Sequence, residues 1–212
     1  MPGTPIRIGY GWDSHEFKRG VPLKIGGVEL PHNRGLAGHS DGDVLLHALT
    51  DALLGAVAAG DIGGFFPPSE AKWKNADSSI FVAEALRQVA RAGYTVGNVD
   101  STLILAQPKI GPHARKIQQN VAKLLKIATS AVGVKAKTPE GMGTDNAAIA
   151  HVVVLLLKKA KSTHADEREA AAEPDPGVVD QVVKNVLRSM QTDAQSEEEP
   201  RTTKATSHQK RR

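Results

Sequence analysis

The run from Ile149 to Leu157, Ile-Ala-His-Val-Val-Val-Leu-Leu-Leu, constrains the fold more than any other stretch of the chain. It is rich in β-branched side chains and almost continuously apolar, which suits a strand in a sheet covered by helices. Its wholly apolar portion, Val152 to Leu157, is strand-sized and falls far short of the ~18 residues a membrane span needs. Further strands are expected at Ile6 to Trp12, Val99 to Leu105 and Val132 to Lys137. Two short alternating runs, Leu23-Lys24-Ile25 and Val28-Glu29-Leu30, flank Gly26-Gly27 and predict a hairpin. Helical patterns lie between the strands. Val44, Leu45, Leu49, Ala52, Leu53, Ala56 and Val57 form an apolar stripe, with Ser40 and Asp43 spaced as a cap before it and Gly60 after it. A second helix is expected from Ser78 to Ala92, stopped by Gly93, and a third from Pro112 to Leu125. Strands alternating with helices define an α/β (α+β) fold, a single domain whose small sheet carries helices on one face.

Composition narrows the function. The 212 residues include no cysteine, which excludes a disulfide scaffold, a cysteine zinc site and a thiol nucleophile. Aromatic residues make up 4% of the chain, too few for a base-stacking platform, so no nucleic-acid partner is expected. The N-terminus shows no apolar signal region, and the expectation is a soluble, cytoplasmic protein with no membrane partner. Residues 1–160 carry 18 basic and 13 acidic side chains, residues 161–212 carry 9 and 10. The shift predicts a folded domain over 1–160 and a charged, largely disordered tail over 161–212. Within the tail, Val178, Val179, Val182, Val183, Val186, Leu187 and Met190 recur at helical spacing, an amphipathic helix at 177–190. Docking on its own body or a sister subunit is the first reading of that helix, partner binding the second.

Three groups of residues carry chemistry. Asp13 and His15 are two apart in an extended segment, so their side chains point the same way. His39-Ser40-Asp41-Gly42-Asp43 precedes His47, which is expected in the second turn of its helix. One Asp and two His make a three-ligand site for zinc with a position open to substrate. Such an ion polarises phosphoryl oxygen as readily as carbonyl. The remaining histidines, His32, His113, His151, His164 and His208, read as packed or solvent-facing residues. The third group suits phosphate: the loops 61–64 and 66–69, Lys109 after Pro108 at a strand end, and Lys135, Lys137, Thr138 and Glu140. Glu140 is a candidate ligand for a hard cation such as Mg²⁺.

The motifs resemble a known family. Ile8-Gly9-Tyr10-Gly11-Trp12-Asp13-Ser14-His15 is similar to the opening R-I-G-x-G-[FY]-D-x-H of the 2-C-methyl-D-erythritol 2,4-cyclodiphosphate synthases. Gly38-His39-Ser40-Asp41-Gly42-Asp43-Val44, continuing through His47 to Gly55, matches that family's most distinctive block. Asp61-Ile62-Gly63, Phe66-Pro67, Ala76-Asp77-Ser78, Gly93-Tyr94, Asn98-Val99-Asp100 and Pro108-Lys109 follow in the family's order. The resemblance covers residues 6–158.

The resemblance implies an enzyme of the non-mevalonate (methylerythritol phosphate) route to isoprenoids, a phosphorus–oxygen lyase. It implies conversion of 4-diphosphocytidyl-2-C-methyl-D-erythritol 2-phosphate to the cyclic diphosphate with release of CMP. Asp13, His15 and His47 would hold Zn²⁺, and Glu140 Mg²⁺ or Mn²⁺ together with the substrate diphosphate. His39 and Thr138 would be catalytic, stabilising charge in the transition state. Substrate contacts would fall to Asp13, His15, His39, Ser40, Asp61, Ile62, Gly63, Phe66, Pro67, Ser69, Glu70, Lys137, Thr138 and Glu140. Residues 105–111, with Ala106, Gln107, Pro108 and Lys109, would form the cytidine pocket. The family assembles as a homotrimer with active sites between subunits.

Two departures stand out. Lys137-Thr138-Pro139-Glu140 replaces the family's small pair before the acidic residue, and Pro139 fixes the backbone there. Thr144-Asp145-Asn146-Ala147 stands where the family has a Gly-Arg-Gly-Glu segment, with no evident counterpart to its arginine. In the family that arginine contacts phosphate, also at an isoprenoid-binding cavity on the trimer axis. Its absence motivates an alternative, a metal-dependent hydrolase of a related nucleotide diphosphate with water as nucleophile. A non-catalytic, metal-stabilised trimer acting through its tail is the other reading.

Overall fold

The apolar run 149–157 lies in the central strand of a five-stranded sheet. In the computed structural model, which describes residues 5–159, the elements in chain order are β1 (Ile6–Arg19), β2 (Leu23–Ile25), β3 (Val28–Leu30), β4 (Arg34–Leu36), α1 (Val44–Ala56), α2 (Ile62–Phe65), α3 (Ser79–Arg91), β5 (Tyr94–Ile104), α4 (Ala114–Leu125), β6 (Val132–Lys137) and β7 (Ala147–Lys158). The sheet order is β4-β1-β7-β5-β6, with β5 and β6 parallel and the other pairs antiparallel. This is the expected mixed α/β domain. The tail at 161–212 and its helix at 177–190 lie outside the described residues. Among those described, no helix is long and apolar enough to cross a membrane.

Strand β7 shows why its sequence is so apolar. Ala148, Ala150, Val152, Val154 and Leu156 are fully buried, while Val153 and Leu157, of opposite parity, are exposed. Only alternate residues meet the helices. The opposite face is apolar as well: Ile6, Ile8, Tyr10 and Trp12 on β1 lie beside Leu157, Leu155, Val153 and His151 on β7. Ile8 is 68% exposed and Tyr10 58%. The single layer of helices thus covers half of what the sequence offers for burial.

Helix α1 lies unusually close to β1. A Cβ on Gly9 would sit 1.9 Å from the Ala52 carbonyl oxygen, and one on Gly11 the same distance from that of Ala48. Two glycines at alternate positions therefore let helix backbone touch strand backbone.

The start of α1 corrects the sequence expectation. Asp43, not Ser40, is the cap: its carboxylate accepts from Leu45 N (3.1 Å) and Leu46 N (3.0 Å). The same carboxylate accepts from Gly26 N (2.9 Å) and Gly27 N (2.6 Å) at the β2–β3 turn, where both glycines take the positive φ that such a turn requires. A carboxylate has enough lone pairs to serve helix and hairpin together, which a hydroxyl has not. Asp43→Ala is expected to cost about 3 kcal/mol, as three buried donors and the partly buried Gly27 N lose their acceptor. The midpoint of urea unfolding at fixed protein concentration checks it, and a shift worth under about 1 kcal/mol would contradict it.

Strands β1, β5 and β7 are longer than expected and the helices shorter. Strand β1 continues to Arg19 because its second half pairs with the start of β7 and then with β4, a three-residue strand with no pattern of its own. Strand β5 begins at Tyr94 rather than Val99, and Ser79 and Ala114 open α3 and α4. Helix α1 ends at Ala56, short of Gly60. The expected loop 61–64 forms the one-turn helix α2, capped by Asp61 through Gly64 N (2.9 Å).

Candidate functional site

Strand parity and the glycine contact together build a cluster. Gly9, Gly11, Asp13 and His15 project from the same side of β1, and Ala48 lies over Gly11. His47, the residue before Ala48, therefore meets Asp13 and His15. Its Nδ1 lies 2.9 Å from His15 Nε2 and 3.0 Å from Asp13 Oδ2, and those two atoms are 2.9 Å apart. His47 belongs to the first turn of α1, not the second, because the helix starts later than expected.

Three donor atoms at the corners of a triangle with sides near 3 Å suit one small cation. Tetrahedral zinc with ligands at about 2.0–2.1 Å has edges of roughly 3.3 Å, so a few tenths of an ångström of relaxation would seat it. Two imidazoles and a carboxylate also match zinc's ligand preference. Burial opposes ionisation of Asp13. Hydrogen bonds and charge from His15 and His47 more than offset this and lower its pKa to about 2.

The other side of His47 is equally ordered. Its Nε2 lies 2.9 Å from Ser78 Oγ and 3.0 Å from Ser40 Oγ. The Ser78 hydroxyl donates to Asp41 Oδ1. Asp41 also accepts from Ser78 N (3.2 Å), Asp43 N (3.3 Å) and Lys24 Nζ (3.5 Å). Phe81 packs 5.9 Å from the His47 ring, and Phe66 and Trp73 extend this aromatic group.

A cleft of about 500 Å³ forms elsewhere on the described domain, at the ends of β5 and β6. It is lined by Leu105, Pro108, Lys109, Lys137, Thr138 and Glu140, which brings Lys109 of the expected 105–111 pocket together with Lys137, Thr138 and Glu140. Ala106 and Gln107 lie in the same turn without lining it. Thr138 Oγ1 donates to Glu140, whose backbone is left-handed at φ +49.

The remaining expected residues take separate positions. His39 is exposed, and its carbonyl accepts from Asn75 N (2.9 Å). Asp61, Gly63, Ser69 and Glu70 are exposed, and Ile62 N donates to Asp51 (2.8 Å). Phe66 turns partly inward to Phe81, with Pro67 half-buried beside it. His32 is held by the Arg34 backbone, and His151 lies 2.9 Å from Tyr10 OH on the exposed sheet face. In the altered segment, Arg34 Nη1 donates to Asn146 Oδ1 (2.8 Å). Sequence reasoning missed the partners Asp41, Ser78 and Lys24. A serine at a helix start reads as a cap, which hides any other use of its hydroxyl.

Fold and cluster define an α/β domain with a candidate divalent-metal site between its first strand and first helix. The chain belongs to the YgbB family, whose profile matches residues 6–157. It is 68% identical over 154 residues to the 2-C-methyl-D-erythritol 2,4-cyclodiphosphate synthase of Koribacter versatilis (strain Ellin345), covering 73% of this chain and 99% of that one. It is 52% identical over 158 residues to the chloroplastic enzyme of the same name from Arabidopsis thaliana, covering 73% and 68%. Among solved structures it is similar to a 2C-methyl-D-erythritol-2,4-cyclodiphosphate synthase in a CDP-bound form, with 40% identity, a TM-score of 0.67, and 71% and 99% of the two chains covered.

Proposed function

We propose that this protein converts 4-diphosphocytidyl-2-C-methyl-D-erythritol 2-phosphate to 2-C-methyl-D-erythritol 2,4-cyclodiphosphate and CMP, as a cytoplasmic phosphorus–oxygen lyase of the methylerythritol phosphate route. The convergence of Asp13, His15 and His47 on one point, within a chain so similar to enzymes of that name, carries this reading. The three residues hold zinc, and Glu140 takes Mg²⁺ or Mn²⁺ with the diphosphate. When bound, the cations draw charge from phosphoryl oxygens and lower the barrier to displacement.

The substrate brings its own nucleophile. An oxygen of the 2-phosphate bonds to the β-phosphorus while the bond from that phosphorus to the bridging oxygen breaks, and the electron pair leaves with CMP. The protein then has to position groups and neutralise charge. His39 donates a hydrogen bond to the phosphoryl oxygens, and Thr138 does so once its hydroxyl turns away from Glu140. Lys109 and Lys137 oppose the nucleotide's negative charge in the cleft lined by Pro108, which suits a cytidine ring. Asp61, with Ile62 and Gly63, accepts from an erythritol hydroxyl, while Ser40 and residues 66–70 close the sugar side.

Phosphorus NMR of the zinc-replete protein with this substrate and Mg²⁺ is the test. Cyclic diphosphate with CMP is expected. A linear product with CMP would mean that water has replaced the internal nucleophile, and no turnover by a folded, zinc-loaded protein would remove the enzyme reading.

The apolar face formed by Ile6, Ile8, Tyr10, Trp12 and their β7 neighbours supports a homotrimer, with the zinc of one subunit completed by the nucleotide cleft of the next. Contiguous exposed apolar surface of this kind marks an interface. Ile8→Asp combined with Tyr10→Asp is expected to give a folded monomer by sedimentation and a turnover loss of at least about a hundredfold, as binding groups from the neighbouring subunit are lost. A variant that stays trimeric would place the interface elsewhere.

A further inference from the structure

Ser78 sits where a serine ordinarily caps a helix, at the start of α3, yet its hydroxyl makes no capping bond. Asp77 instead receives Ser79 N (3.0 Å). The Ser78 side chain is fully buried and gives up a bond worth about 1 kcal/mol to the helix. Its proton goes to the Asp41 carboxylate, so the oxygen faces His47 Nε2 at 2.9 Å with lone pairs alone. The bond is made only if Nε2 carries the ring proton. A neutral imidazole protonated at Nε2 has its free pair on Nδ1, the atom aimed at Asp13 and His15.

We infer that Asp41 and Ser78 are positioning residues that fix the tautomer and orientation of His47, holding Nδ1 ready for the metal. The inference rests on the reading of Asp13, His15 and His47 as metal ligands. Asp41 is suited to the task because its carboxylate is itself pinned by the Ser78 and Asp43 amides and faced by Lys24. Ser40 differs. Its hydroxyl lies 3.0 Å from the same nitrogen, but no carboxylate directs its proton, so it can turn to accept or donate and imposes no tautomer. The arrangement is a carboxylate–hydroxyl–imidazole relay, one group longer than the carboxylate–histidine pairs that support many zinc sites.

The test uses the full chain in zinc-free and zinc-loaded forms. Zinc affinity is measured by competition with a chromophoric chelator. The His47 tautomer in the zinc-free protein is read from long-range ¹⁵N–¹H correlations. Ser78→Ala and Asp41→Asn are each expected to weaken zinc binding about 10- to 100-fold and to mix the His47 tautomers, while Ser40→Ala changes both less. Circular dichroism confirms that each variant is folded, and Asp41→Asn serves if Ser78→Ala is not. Parental zinc affinity with an unchanged Nε2–H tautomer in a folded Ser78→Ala would overturn the relay. His47→Ala separates the two levels: if it too binds zinc like the parent, the ligand reading fails rather than the relay.

Discussion

Gly11→Ala is expected to cost the protein about 3 kcal/mol or more of folding stability, and the proposed metal site with it. The added Cβ would meet backbone, the Ala48 carbonyl oxygen at 1.9 Å and Ala52 N at 2.7 Å, and backbone cannot rotate away. To reach ordinary contact at 3.4 Å, α1 must retreat from β1 by about 1.5 Å, opening a gap along tightly packed core. His47 rides on α1 and Asp13 and His15 on β1, so the retreat also spreads the ligand triangle. Gly55→Ala in the same helix is the control. Its nearest neighbour would be the Tyr10 carbonyl oxygen at 3.9 Å, and a helical Gly→Ala change there should gain about 0.5–1 kcal/mol. Urea unfolding and zinc titration on both variants check the pair. A Gly11→Ala protein as stable as the parent would mean that α1 and β1 are not in backbone contact.

The same contact shows what the sequence can reveal and where it stops. Gly9 and Gly11 stand out as alternate glycines in a strand, but nothing local says which helix approaches them. The hairpin around Gly26-Gly27, strand β6 and helix α3 were legible because short-range rules decide them: positive φ at paired glycines, alternation, and a glycine stop. Strand β4 was not, because Arg34-Gly35-Leu36 becomes a strand only by pairing with Phe17 to Arg19. The cap of α1 fell between these cases. Ser40 and Asp43 both carry cap chemistry, and the choice was made by Gly26 and Gly27, seventeen and sixteen residues upstream of Asp43, whose donors only a carboxylate can satisfy along with the helix.

The cluster of Asp13, His15 and His47 was legible for a related reason. Asp13 and His15 share a strand face by parity alone, and His47 precedes the stretch that packs against the glycines of that strand. The supporting side of His47 was hidden, since Ser78 is distant in sequence and disguised as a cap. The apolar run in β7 was informative and misleading at once. It announced burial on both faces, and the described domain buries one.

Asp13→Asn is expected to lower zinc affinity and kcat/KM each by on the order of a thousandfold, the largest effect predicted for any single side chain. The carboxamide keeps the shape and can still accept a hydrogen bond from His15 Nε2, so the zinc-free fold should hold. What disappears is the anionic ligand. Asp13 keeps that charge across a wide range because its two imidazole neighbours lower its pKa to about 2, despite burial that works the other way. A carboxyl group lowered in the folded state stabilises the fold above its unfolded value, and this stabilisation is lost as pH falls from about 4 through about 2. In the zinc-free protein, stability is therefore expected to fall toward that of Asp13→Asn as pH drops through this range. Urea unfolding of both zinc-free proteins across that pH range checks this, and chelator competition at neutral pH checks the loss of affinity. An Asp13→Asn protein that binds zinc like the parent would show that the cluster is held together for the fold and not for the metal.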